Sequence, residues 1–128
     1  MNTPKNLKYT KNHEWLRVDG DQAYIGITDY AQHHLGDIVF VEIPEVDSEV
    51  GAEDSIAVVE SVKAVSSVYS PISGTILEAN EELESSPELL NDDPYENWIA
   101  VISVDDDAEV EKLLSAEDYD ALCAELEE

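Results

Sequence analysis

The sequence predicts a mainly β fold, a small sandwich or barrel of short strands with helical ends. Short β-rich runs recur along the chain, each bounded by Gly, Pro, Asp or Ser. A single internal stretch, 28–36, carries the start and stop signals of a helix. From Asp105 the apolar spacing changes from two to about 3.6 residues. At 128 residues and 43% hydrophobic content the chain can bury a core, and one domain is expected.

Residues 7–18 contain Leu7, Tyr9, Trp15, Leu16 and Val18 and read as one extended segment. Asp19-Gly20-Asp21 signals a turn, and Gln22 to Ile27 reads as a strand. Thr28 caps a helix over Asp29 to Leu35, which Gly36 ends. Asp37 to Ile43 is β-like up to Pro44, and its apolar residues on both parities predict burial on both faces. Runs 55–62, 64–69 and the start at Gly74–Leu77 read as further strands. Residues 79–97 read as polar loop, and Trp98 to Val104 as a last strand. Val110, Leu113 and Leu114 then fall on one helical face. Ser115 and Asp118 resemble a capping box before a final helix striped by Tyr119, Leu122 and Leu126. Cys123 reads as a small, half-buried side chain of that helix. No low-complexity linker divides the chain.

The formal net charge is −25, from 31 acids and 6 bases. Such a chain repels nucleic acid and anionic membranes, so neither is an expected partner. No run is long enough for a transmembrane helix. The N-terminus reads as neither signal nor transit peptide. A single cysteine excludes an internal disulfide and a Cys-cluster metal site. The expectation is an acidic, cytoplasmic, prokaryotic protein, with a mitochondrial matrix location disfavoured. Nucleophile-elbow, P-loop, G-x-G-x-x-G and H-E-x-x-H patterns are all absent. His13, His33 and His34 do not form a metal motif. An ordinary hydrolase or nucleotide enzyme is therefore not expected.

Lys63 stands apart. It is the only base among residues 18–111, and its neighbours Val62 and Ala64 offer no ion partner. A lysine amine is the attachment point for acyl groups. Glu60-Ser61-Val62-Lys63-Ala64 resembles the lipoyl attachment motif of the glycine cleavage H-protein family. Gly51 precedes the lysine and Gly74 follows it at lipoyl-domain spacing. The resemblance extends through His13-Glu14-Trp15, Gly26 to Ala31, Leu35 to Glu42, Ser70 to Gly74, Asn91 to Trp98 and Leu113 to Tyr119. It covers roughly residues 7 to 124. One departure is Glu96-Asn97-Trp98, one residue shorter than the family pattern and without its glycine before the tryptophan. The high acid content is another.

The resemblance implies a lipoyl/biotinyl-type barrel-sandwich hybrid with a short internal helix and C-terminal helices. It implies one carrier domain over 1–128, with a core of about 7–104 and a helical extension over 105–128. It implies (R)-lipoate in amide linkage to Lys63, at the tip of a β-turn, with Val58 and Val68 equidistant from it along the chain. No Asn-Gly or Asp-Gly marks that turn in the residues themselves. Glu60 and Ser61 would define the turn for a lipoate ligase or lipoyl transferase. Glu14 and His34, with Asn12 and Ser67 nearby, match positions that dock the loaded arm, while His13 would support the Trp15 strand. The implied protein is a monomeric, non-catalytic carrier. It would take the aminomethyl group of glycine from glycine decarboxylase (P protein) to aminomethyltransferase (T protein), with dihydrolipoyl dehydrogenase (L protein) reoxidising the arm. A lipoate-relay carrier, a biotin carrier, a lipoyl domain of a 2-oxoacid dehydrogenase and an acidic interaction domain remain as alternatives. Flanking methionines, usual around a biotinylated lysine, are absent, as are Ala/Pro-rich linkers.

The charge balance suggests a surface suited to high salt, where screening relieves self-repulsion. The melting temperature is therefore expected to rise between dilute buffer and molar salt. A flat or falling response would remove the high-salt reading.

Overall fold

The computed structural model describes residues 2–126; Met1 and the last two residues of the expected helical extension lie outside them. In chain order the described strands are β1 (Lys8–Tyr9), β2 (Glu14–Asp19), β3 (Gln22–Ile27), β4 (Ile38–Glu42), β5 (Glu49–Val50), β6 (Ser55–Ser61), β7 (Val65–Tyr69), β8 (Gly74–Ala79) and β9 (Ala100–Ser103). The helices are α1 (Asp29–Leu35), α2 (Glu82–Ser85), α3 (Leu89–Asp92), α4 (Asp107–Glu111) and α5 (Ala116–Leu126). One sheet has the order β1-β2-β3-β9-β8-β5 and the other β4-β6-β7. Every pairing in both is antiparallel.

Residues from both sheets, among them Ile25, Ile76 and Ile102 of the larger and Val41, Val59 and Val68 of the smaller, join one buried core. Burying apolar surface of this kind contributes about 25 cal/mol per Å², the main force holding two sheets together. A second buried cluster, of Leu7, Tyr9, Trp15, Tyr30, Ala116 and Tyr119, is built from the N-terminal strands, α1 and α5. Tyr9 and Tyr119 stack there with ring centroids 4.7 Å apart.

The local signals hold where chemistry is local. Asp19 pairs with Gln22 across a two-residue loop, and Gly20 takes φ +66°. Thr28 caps α1 by accepting the Ala31 N–H at 3.2 Å. Gly36 ends it at φ +78° and donates its N–H to the Gln32 carbonyl at 3.0 Å. Ser115 accepts the Asp118 N–H at 3.1 Å, as the capping signal predicts.

Other expectations are corrected. Residues 7–18 are two strands broken by a turn, in which His13 adopts φ +69°. β4 is buried on one face only: Ile38 and Val41 are inside, while Val39 is 53% and Phe40 47% exposed. A register shift between Ile38 and Phe40 carries the strand past one residue and breaks the alternation. Region 79–97 holds α2 and α3, single helical turns that each insert one leucine, Leu83 and Leu90, fully into the core. Short β5 carried no sequence signal, and the last strand is trimmed to Ala100–Ser103. α4 ends at Glu111, so Leu113 and Leu114 share no helical face with Val110; Leu114 instead bridges Tyr9 through two backbone bonds of 2.8 Å. Leu126 is 54% exposed, so the α5 stripe stops before it. The shortened 96–98 loop closes without glycine: the Asp93 carboxylate accepts the Tyr95 and Glu96 N–H groups. The Asn97 amide spans the Leu89 and Asp93 carbonyls.

Gly74, at the start of β8, lies against β9. A Cβ there would overlap the Ser103 carbonyl oxygen and crowd Ile102. Gly74→Ala is expected to cost about 1–3 kcal/mol through overpacking, read as a lower denaturation midpoint with unchanged m-value. An unchanged midpoint would show that β8 and β9 can separate at no cost.

Candidate functional site

Strands β6 and β7 form a hairpin whose tip is Ser61-Val62-Lys63-Ala64. The Ser61 N–H donates to the Ala64 carbonyl at 2.8 Å. The Ser61 hydroxyl accepts the Ala64 N–H at 3.0 Å and the Lys63 N–H at 3.3 Å. A serine side chain thus replaces the missing Asn-Gly signal by binding the turn's own backbone. The ladder pairs Val58 with Ser67 and Ala57 with Val68. The turn is therefore centred between Val62 and Lys63, and Val58 and Val68, equidistant from the lysine along the chain, are not cross-strand partners.

The tip is also braced from outside. The Val62 N–H donates to the Asp37 carbonyl at 3.0 Å. Asp37 sits between two residues held by Asn91 of α3. The Asn91 amide nitrogen donates to the Gly36 carbonyl at 2.8 Å and to Gln32 Oε1 at 3.0 Å, and its oxygen accepts the Ile38 N–H at 2.9 Å. Lys63 itself is exposed. Its side chain lies over Gly36, where a Cβ would stand 3.5 Å from Lys63 Cε. Sequence reading missed this brace, because the Asn91 partners lie 53 to 59 residues away. The signals were a polar residue beside Leu89-Leu90 and the start, at Asn91, of a block resembling the family.

Beside the lysine is a cavity of about 270 Å³ lined by Asn12, His13, Tyr30, Ala31, His34, Leu35 and Ser66. Tyr30 stacks on His13 with ring centroids 4.5 Å apart and packs tilted against His34 at 4.2 Å. His13 Nδ1 shares a hydrogen bond of 2.8 Å with the Tyr119 hydroxyl, which also bonds the Thr28 hydroxyl at 2.7 Å. His13 therefore supports the cavity wall and the α5 contact, more than the Trp15 strand alone. Burial, and then the nearby His34, lowers its pKa below 6.5.

Glu14 lies in a neighbouring cavity of about 230 Å³, which Asn12 also lines. The structure thus joins Asn12 and His34 in one cavity, with Ser66 rather than Ser67, and sets Glu14 in the next. Glu14 is only 2% exposed. Its carboxylate accepts the Thr10 hydroxyl at 2.6 Å and the Tyr69 N–H at 3.2 Å, the latter from β7. Burial raises its pKa above the ordinary 4.5, against the lowering effect of those two bonds. Glu60 is half-buried on β6, level with Phe40 of β4 and Val65 of β7. Among the described residues no cluster of His, Cys, Asp and Glu could hold a metal ion. No helix among them is long and apolar enough to cross a membrane.

Two antiparallel sheets with a lone lysine on a braced hairpin tip define a lipoyl-type domain. The fold superposes on the crystal structure of a glycine cleavage system H protein from Mycobacterium marinum with a TM-score of 0.87. That match has 36% identity and covers 94% of this chain and 98% of the other. The barrel-sandwich architecture implied by the sequence is thus the one observed. Residues 7–126 match the family model for the glycine cleavage H-protein. The chain is 57% identical over 126 residues to the glycine cleavage system H protein of Geobacillus thermodenitrificans, covering 98% of this chain and 99% of the relative. It is 56% identical over 128 residues to that of Halothermothrix orenii, covering 99% and 100%. The chain belongs to the glycine cleavage H-protein family.

A raised carboxyl pKa in the folded state means that the folded chain holds the Glu14 proton more tightly than the unfolded chain does. The stability this confers is complete below the unfolded value of 4.5 and is lost as pH rises through the folded value. Wild type should therefore lose melting temperature relative to Glu14→Gln as pH rises from about 4 to 8. Parallel curves for the two proteins would show that burial does not perturb this carboxyl.

Proposed function

We propose that Lys63 carries lipoate in amide linkage and that the chain shuttles the aminomethyl group of glycine between the enzymes of the glycine cleavage system. Glycine decarboxylase would load it, aminomethyltransferase would unload it, and dihydrolipoyl dehydrogenase would restore the oxidised arm. The single observation behind this is the display of Lys63: a lone amine on a tip whose backbone is held by four hydrogen bonds, in a chain of this family. The bound group supplies the thiol–disulfide chemistry. The protein supplies placement and recognition, and needs no catalytic residue of its own.

The surroundings suit such an arm. Gly36 leaves room for the lysine stem to lie flat against the body. The packed His13, Tyr30 and His34 rings offer an amphipathic wall for a long aliphatic chain. In this reading His34 and Asn12 line the docking groove, and the Glu14 carboxylate in the adjoining cavity attracts the positive amine of the load. Holding that amine away from water slows premature loss. Ser61 shapes the turn, and Glu60 marks it for the attaching enzyme. The setting in this reading is a bacterial cytosol, the relatives named above being bacterial.

Lys63→Arg tests the reading, because a guanidinium keeps the charge but forms no lipoyl amide. With a lipoate-attaching enzyme and lipoate supplied, wild type should gain the mass of one lipoyl group, mapped to Lys63. The variant should stay folded, gain nothing and support no glycine cleavage. Activity retained by Lys63→Arg, or lipoate mapped to another residue, would refute the proposal.

A further inference from the structure

Four of the exposed apolar side chains of this acidic protein gather in one place. Val39, Phe40, Val62 and Val65 are 53%, 47%, 71% and 68% exposed. All four lie at the lysine end of the β4-β6-β7 sheet. Ladder partners project to the same side of a sheet, and Phe40 pairs with Glu60, which pairs with Val65. The outer face beside Lys63 thus carries a row reading apolar, carboxylate, apolar, with Val62 at the turn above it. Leaving Phe40 outward has no evident gain for folding, and contiguous exposed apolar surface marks an interaction site.

The occupant follows from reach. Before modification Lys63 offers only a four-carbon stem. An enzyme that acylates its amine must bring its active site within that length of the hairpin backbone. It must then cover the residues on either side. Enzymes that meet the finished arm are held off by the added length and need less of this contact. The chemistry of the row also specifies the partner: an apolar surface with a cation placed opposite Glu60, which is half-buried between its neighbours.

We propose that the face formed by Phe40, Glu60, Val62 and Val65 is the docking surface for the enzyme that attaches lipoate to Lys63. The inference rests on the lipoyl reading of Lys63 and adds β4, a strand well before the attachment motif, to what that enzyme reads.

The test measures steady-state lipoylation by a purified lipoate-attaching enzyme with lipoate and ATP. Its protein substrates are wild type, Phe40→Ser, Val65→Ser and a Val18→Ser control. Val18 is 45% exposed on β2, in the other sheet. Melting curves confirm that each variant is folded. Phe40→Ser and Val65→Ser should each raise KM about tenfold at nearly constant kcat, the usual effect of losing a central apolar contact. Val18→Ser should match wild type. Equal KM values for all four proteins would overturn the docking surface while leaving the lipoyl reading intact. So would a defect that appears only in turnover by the decarboxylase after lipoylation, which would give this face to a later partner. Failure of wild type itself to take lipoate would overturn both.

Discussion

The carrier role proposed for Lys63 asks for a rigid backbone under a free side chain. Here one bond outside the hairpin meets the first need: the Val62 N–H donates to the Asp37 carbonyl. The β4 ladder ends with Ile38 opposite Ser61, so the turn beyond it is tied to the body through that carbonyl. Asp37 is fixed because Asn91 grips the residues on both sides of it, the Gly36 carbonyl and the Ile38 N–H. Asn91 is placed in turn by α3, a single turn anchored by buried Leu90. The lysine is thus positioned by a chain of contacts running from the core to the tip.

The second need, a free side chain, is met by what is missing around Lys63. Gly36 presents no Cβ, and Val62 and Ala64 carry no charge. The excess of acid elsewhere does not alter this, because the turn contains no carboxylate. The acids that do approach the site are specialised by their surroundings. Glu14 is buried and hydrogen-bonded to β7, so one group both ties the N-terminal turn to the lysine sheet and puts potential negative charge beside the groove. Glu60 is half-buried between apolar neighbours and belongs to the outer face instead.

The groove wall is a product of the C-terminal helix as much as of α1. Tyr119 stacks on Tyr9, bonds Thr28 and bonds His13. Burial pushes its hydroxyl pKa well up, so it remains a neutral partner for both. Thr28 thus caps α1 and anchors α5 with the same oxygen. The helical extension thus helps hold His13 in the cavity wall against Tyr30.

What was legible in the residues was local. Turn chemistry at Gly20, the caps at Thr28, Gly36 and Ser115, and the β-rich runs around the attachment motif act between near neighbours, so sequence order is enough to read them. Lys63 was legible for a similar reason: an isolated base in a chain of acids is a property of order and composition. The errors fell where distance in space overrides distance along the chain. Val39 and Phe40 face outward because a bulge shifts the register of β4 against β6, and no propensity reports that. Leu83 and Leu90 look like loop residues until the sandwich offers them a core. Asn91 has no visible role until α1, β4 and α3 meet. The sequence by itself determined the family, the β-rich class and the isolated lysine between two β-rich runs. Only the tertiary structure decided which side chains brace that lysine, how Asn12, His34 and Glu14 divide between two cavities, and which apolar face stays open. The Asn91 brace and the Glu14 contact join segments fifty or more residues apart in the chain, and the open face depends on how β4 meets β6, which no local signal reports.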